Sequence, residues 1–200
     1  MTAENQILAV LPSNVFERFA PHLKLVSLEQ GTMIHRLGEL LIDLYFPINC
    51  LFSITMQDGA TAEVGIVGNR EVLGINAFMK QSSITQTQYV VQIAGNAMKM
   101  GAAVVRQGLE RDAALRDLLL PYTQIFLAQV SQTAEYNSLH TLEQRLPRWL
   151  LKTQEQIHSG YSKIITFRIL PAQVDRSCAW VERNRNPLNV SSFVVGLIPA

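Results

Sequence analysis

Arg36-Leu37-Gly38-Glu39, Leu44-Tyr45-Phe46-Pro47, Asp58-Gly59, Glu63-Val64-Gly65-Ile66-Val67-Gly68 and Arg70-Glu71-Val72-Leu73-Gly74 follow one another within residues 36–77, and this stretch decides the fold. The apolar runs 44–46, 51–56 and 64–67 are short and rich in β-branched and aromatic residues. Gly, Pro, Asn and Asp bound them, residues that supply a positive φ or hold φ near about −65° and so turn the chain back between strands. The pattern predicts a compact roll of short antiparallel strands.

Outward from that stretch, Ser13 is placed to cap a short helix over 14–20, which Pro21 ends. Strands are predicted over 23–28, 32–35, 44–46, 51–56, 63–67, 89–93 and 97–100, with turns between them, as in a jelly roll or barrel. After Met100 the period changes: 102–109 reads as a short helix, and from Arg111 the chain is strongly helical to about Gln156. Leu115, Leu119, Tyr122, Phe126, Gln129, Thr133, Tyr136 and His140 recur there at alternating steps of four and three, a heptad-like seam that begins apolar and ends polar. Such a seam can meet a second subunit or the chain's own roll, and periodicity does not separate the two. Pro121 lacks a backbone donor and crowds the carbonyl four residues back, which predicts a kink or break with the helix resuming near Tyr122. A second interruption is expected around Asn137-Ser138, and Pro147 is expected to bend or shorten the helix that follows.

Composition narrows the function classes. The 200 residues, 48% of them hydrophobic, suffice for a sensor-sized domain plus a small appendage. No window approaches the ~20 apolar residues of a membrane span, and Met1-Thr-Ala-Glu-Asn-Gln6 has no basic and apolar leader pattern, so a cytoplasmic protein is expected. Cys50 sits in an apolar run as a small hydrophobe far from Cys178, and no disulfide is expected. His22, His35, His140 and His158 are too dispersed for a ligand set and no Cys-x-x-Cys occurs, so no metal or other cofactor is expected. Asp58, Glu63 and Glu71 have no His or second carboxylate at meaningful spacing, and Gly65-x-x-Gly68 opens no helix as a phosphate loop does. The chain is read as a non-enzyme without catalytic residues. Its net charge of +1 gives no global drive toward nucleic acid, so any DNA contact needs a local patch.

The order and spacing of the pieces in 36–77 closely resemble the sensor domain of Crp/Fnr family transcription regulators, a cyclic-nucleotide-binding-type jelly roll. The run Leu139-x-x-x-Glu143-x-Arg145-Leu146-x-x-Trp149-Leu150 resembles that family's hinge and the first helix of its DNA-binding domain. The resemblance implies an α+β fold: a β-roll (double-stranded β-helix) over 1–110, a long dimerisation helix over 111–138, and over 139–200 the remnant of a winged helix-turn-helix domain. It also implies a homodimer joined through Leu119, Tyr122, Phe126, Gln129 and Thr133, which senses a small effector and controls transcription through DNA.

In members that bind cyclic nucleotides, a cassette Gly-Glu-apolar-Ala precedes Arg-Ser/Thr-Ala; the Glu accepts from the ribose hydroxyl and the Arg neutralises the cyclic phosphate. Here the matching residues are Gly74, Ile75, Asn76 and Ala77, then Gln86, Thr87 and Gln88 after Thr85. Gly and Ala are kept, while Ile75 stands where Glu belongs and Gln86 where Arg belongs. A buried phosphate without a cation is costly, and Gln cannot make the bidentate charge-assisted contact of Arg. The effector is therefore expected not to be classical cAMP; Lys80, in the intervening loop, is the one cation there that could substitute.

Beyond about 157 the pattern is lost. No helix-turn-helix cap, turn or recognition helix is legible, Gly160 and Gly196 fall at no such turn, and Pro171 and Pro187 limit helix length. Residues 161–200 carry Lys163, Arg168, Arg176, Arg183 and Arg185 against Asp175 and Glu182, a local +3 that suits only nonspecific phosphate contact. So abrupt a loss of pattern suggests a shifted reading frame or a truncated paralogue. The alternative reading of the whole chain is a sensor and dimerisation module that does not bind DNA.

Overall fold

The computed structural model describes residues 5–58, 60–79 and 84–156, so Lys80 and the basic tail lie outside the described residues. Short helices α1 (Gln6–Ala9) and α2 (Ser13–Phe19) lead into β1 (Lys24–Leu28), β2 (Met33–His35), β3 (Asp43–Pro47), β4 (Leu51–Asp58) and β5 (Ala60–Val67). Helix α3 (Asn76–Met79), β6 (Gln88–Ile93) and β7 (Gly95–Gly101) complete the roll, and α4 (Ala102–Arg111), α5 (Ala113–Leu139) and α6 (Leu142–Gln156) follow. All seven predicted strands are present: β1 and β2 begin one residue later than predicted, and the other five are longer, β3 by Asp43 and Pro47, whose propensity is poor but whose backbone pairs across the sheet.

The strands form two antiparallel sheets, ordered β1-β7-β3 and β2-β6-β4-β5. Leu44 and Phe46 of β3 and Met100 of β7 meet Phe52, Ile54, Tyr89 and Val91 of the other sheet in one continuous core. Phe52 is fully enclosed. Alternation holds only in part, because Ser53 and Thr55 on the other face of β4 are also buried. A second layer therefore covers this sheet, and α5 supplies part of it, packing on β5.

Asn5, fully buried, ties the entry of the chain to the roll. Its side-chain oxygen caps α1 by accepting the N–H groups of Ile7 and Leu8, and its amide donates to the carbonyls of Pro47 and Glu71, both at 2.9 Å. Helix α2 begins one residue before its predicted start: Pro12 is the cap and Ser13 the first helical residue, with no side-chain cap bond.

Helix α5 runs through Pro121 without a break. The ring sits on the exposed face beside exposed Asp117, so the carbonyl it deprives of a partner faces water and the cost stays local. The interruption expected at Asn137-Ser138 falls instead at His140, whose φ of −114° and ψ of 148° are extended. Thr141 then starts α6, with the Gln144 side chain accepting the Thr141 N–H at 3.1 Å, half of a capping box. Pro147 lies within α6, which keeps all 15 of its residues. No helix among the described residues is long and apolar enough to cross a membrane.

On its inner face α5 delivers Leu115, Leu119 and Tyr122 to the core. The Tyr122 hydroxyl accepts the Val72 N–H at 2.9 Å and donates to the Val72 carbonyl at 3.3 Å, fixing the helix against the segment before the cassette. Tyr122→Phe leaves both groups buried and unpaired, so it is expected to lower stability by about 1–3 kcal/mol, read as a lower urea midpoint at unchanged slope.

Candidate functional site

The cassette predicted at Gly74 to Ala77 is a tight turn into α3. Tyr45 and Leu73 form a β-bridge that brings it against β3, and Gly74 then adopts a φ of +91°. A Cβ on Gly74 would stand 2.9 Å from the Asp43 carbonyl oxygen, so glycine is demanded both by conformation and by space. The Ala77 N–H closes the turn onto the Gly74 carbonyl at 2.8 Å, and Arg106 of α4 donates to the Ala77 carbonyl at 2.5 Å.

Within this turn Ile75 is 7% exposed, and Ala77 and Phe78 are buried beside it in the core cluster. Position 75 is thus filled by an apolar side chain packed into the roll, not by a polar group presented to a ligand. Asn76 is exposed. Arg106, the cation seen at this turn, is committed to a backbone carbonyl.

The second predicted segment, Gln86 to Gln88, is held by different neighbours. Leu40 and Ile84 form a bridge, the Thr85 N–H donates to the Glu39 carbonyl, and the Gly38 N–H donates to the Thr85 carbonyl, both at 3.0 Å. Gly38, at φ +83°, makes that turn possible. The Thr85 hydroxyl donates to the Thr87 carbonyl at 2.6 Å and accepts the Thr87 N–H at 3.1 Å, a local turn that leaves Gln86 exposed and Thr87 and Gln88 half-buried.

Three polar residues beside this turn escaped the sequence reading. Thr85 is fully buried, Tyr89 is 4% exposed, and His35, 8% exposed, meets the Tyr89 ring edge-on at 5.9 Å between centroids. Burial pushes the Tyr89 hydroxyl above its ordinary range, partly offset by hydrogen bonds with Thr87 and Thr85. Burial likewise lowers the imidazole of His35, with the Glu39 carboxylate, 3.8 Å from Nδ1, acting in the opposite sense. His35 Nε2 has no hydrogen-bond partner among the described residues. The available signal was strand parity: β2 and β6 pair His35 with Tyr89. This end of the roll offers hydroxyls and a neutral imidazole, groups suited to an uncharged or weakly polar ligand.

The seam on α5 has a definite use. Leu119 is 4% and Tyr122 9% exposed inside their own roll, and Phe126, Gln129 and Thr133 are half-buried on the same side. Leu119 and Tyr122 thus pack into the core of their own roll. The outer side carries a second repeat, Leu120, Gln124, Leu127, Ser131, Ala134 and Ser138, again at steps of four and three, every member exposed.

A roll of two antiparallel sheets, a glycine-turned cassette after β5 and a long helix laid across it define the cyclic-nucleotide-binding class of sensor fold. Comparison with solved structures agrees. The chain is similar to a Crp/Fnr family transcriptional regulator assignment from Eubacterium rectale at 12% identity, covering 76% of this chain and 72% of that one with a TM-score of 0.63. It is similar to FixK2 from Bradyrhizobium japonicum at 12% identity, covering 69% of each chain with a TM-score of 0.59. It is also similar to the c-di-GMP-responsive global regulator CLP of Xanthomonas campestris, at 18% identity over 70% of this chain and 72% of that one, with a TM-score of 0.57. At these identities the likeness is one of fold. No protein-family model matches the chain, and no curated protein matches it in sequence.

Proposed function

We propose that the chain is a Crp/Fnr-type, ligand-sensing dimeric regulator of transcription whose roll takes an effector other than a cyclic nucleotide. The observation that carries this reading is the cassette: its glycine turn is intact, while Ile75 is packed into the core where a ribose-binding acid would have to stand. The pocket residues are Gly74, Ile75, Asn76, Ala77, Gln86, Thr87 and Gln88, joined by Thr85, His35 and Tyr89. The dimer contact is placed on α5, along the outer repeat that includes Leu120 and Leu127, since the inner seam is engaged with the roll. An effector can shift such a dimer only by binding its two helix arrangements with different affinity.

On this reading the sensor roll, the dimer helix and the DNA-binding remnant act together in the cytoplasm, through DNA. A second reading, a sensor and dimerisation module without DNA binding, is favoured by the absence of a legible helix-turn-helix in 157–200. Binding of the full chain to a duplex from its own upstream region, against a scrambled duplex across a salt series, separates the two. The regulator reading expects preference for the native duplex that survives added salt. Equal and weak binding that salt abolishes, or none, leaves the module.

A further inference from the structure

Two carboxyls that look isolated in the sequence, Glu63 and Glu71, are covered by α6. Glu63, on β5, accepts from the Ser53 hydroxyl at 2.5 Å and from the indole N–H of Trp149, while the Asn137 amide donates to its carbonyl at 2.9 Å. Glu71, 3% exposed, accepts the Gly68 N–H at 3.4 Å through one oxygen; its other oxygen is buried, with the Gln156 side chain its neighbour from α6. The end of α6 closes this corner: the Asn69 N–H donates to the Gln156 carbonyl at 3.0 Å. Gly68 makes the approach possible, for a Cβ there would lie 2.5 Å from both the Cβ and the carbonyl oxygen of Gln156. Thr153, fully buried, lies on the same helix one turn back.

We propose that α6 is a proton-operated latch, closed on the roll when the Glu71 carboxyl beneath Lys152 and Gln156 is neutral and released when it ionises. The inference rests on the packing of α6 and not on the DNA-binding reading.

The groups facing this corner set the sign. Burial raises Glu71 to about 7, opposed by Lys152, by the Gly68 N–H and by Gln156. Burial also raises Glu63, opposed by Ser53, Trp149 and Lys152. From α5 only the Tyr122 hydroxyl bears on Glu71, and it stays protonated because burial and the carboxylate both raise it. Burial lowers the Lys152 amine, with Glu71, Glu63 and Glu155 acting to raise it and Arg148 to lower it. Lys152 has no place in the acid-to-neutral window unless it discharges there, which its carboxylate neighbours resist. Released from α6, Glu71 returns toward the ordinary carboxyl value of 4.5, so the closed state binds the proton more tightly. Closure is complete at acid pH and is lost as pH rises through the interval from that value to about 7, by up to about tenfold per pH unit.

Hydrogen exchange of residues 142–156 in the full chain, followed by mass spectrometry from pH 5 to 8 and corrected for the intrinsic rate, reads the latch directly. The expected result is protection that falls by about 10- to 100-fold between pH 5 and 7, with no parallel change in β4. Glu71→Gln is expected to keep α6 protected to pH 8. Gly68→Ala is expected to leave α6 unprotected at every pH, because the added methyl meets the Gln156 backbone. Constant protection of the unaltered chain across the range overturns the proposal, as does persistent protection in Gly68→Ala. So does a pH response in Glu71→Gln equal to that of the unaltered chain.

Discussion

Gly74→Val is expected to cost the roll about 3–4 kcal/mol, combining the strain of a β-branched residue at positive φ with a backbone clash. The clash is explicit: the Asp43 carbonyl oxygen is 2.9 Å from where the Cβ would be, and neither backbone segment can yield without breaking the Tyr45–Leu73 bridge. Two other glycines separate the contributions. Gly38→Ala meets open space at φ +83°, so it carries only the conformational penalty, about 1 kcal/mol. Gly101→Ala meets open space at φ −63° and is expected to change stability by no more than about 1 kcal/mol, the range for losing a glycine at a helix cap. Urea unfolding of the three variants is expected to rank them in that order; equal midpoints for Gly74→Val and Gly101→Ala would show that the turn before α3 is not built as described.

Leu120→Asp with Leu127→Asp is expected to turn the proposed dimer into a monomer, raising its dissociation constant at least ~100-fold. Leu120 is 52% and Leu127 65% exposed in the single subunit, so the carboxylates cost the fold little while it stays monomeric. In a dimer each would be buried opposite its own copy, where unpaired like charges are strongly unfavourable. Leu119→Asp is the contrasting variant: Leu119 lies in the core, so it is expected to unfold the roll and not merely to separate subunits. Sedimentation velocity together with circular dichroism distinguishes the two outcomes. Dimers that persist in the double variant would place the contact elsewhere.

The strands were legible because their information is local. Runs such as Leu51–Met56 declare a strand by composition, and Gly, Pro and Asn mark where each ends. The α5 seam was legible as a period but not as a partner, because the helix carries repeats on two sides and only the three-dimensional packing assigns the inner one to the roll. Its end lies beyond Asn137-Ser138, two poor helix formers, because Thr141 and Gln144, spaced as a capping box, mark where the next helix begins. Asn137 is helical and spends its amide on the Glu63 carbonyl, 74 residues away in sequence.

Long-range polar contacts were the part that left no local trace. Asn5 reaches across 42 and 66 residues to Pro47 and Glu71, and Trp149 across 86 to Glu63. The same distance hid the candidate site's buried polar residues: His35 and Tyr89 become neighbours only through the pairing of β2 with β6. The turn at Gly74 and the apolar Ile75 behind it were legible, since both are matters of residue type at fixed spacing.

The proposed loss of the cyclic-nucleotide anchors, with Ile75 and Gln86 in their places, is tested most directly by calorimetric titration of the full chain with cAMP and with cGMP. No saturable heat is expected for either nucleotide up to about 1 mM, an affinity no better than about −4 kcal/mol. Saturable binding in the micromolar range, lost when Gln86 and Thr87 are changed to alanine, would contradict it.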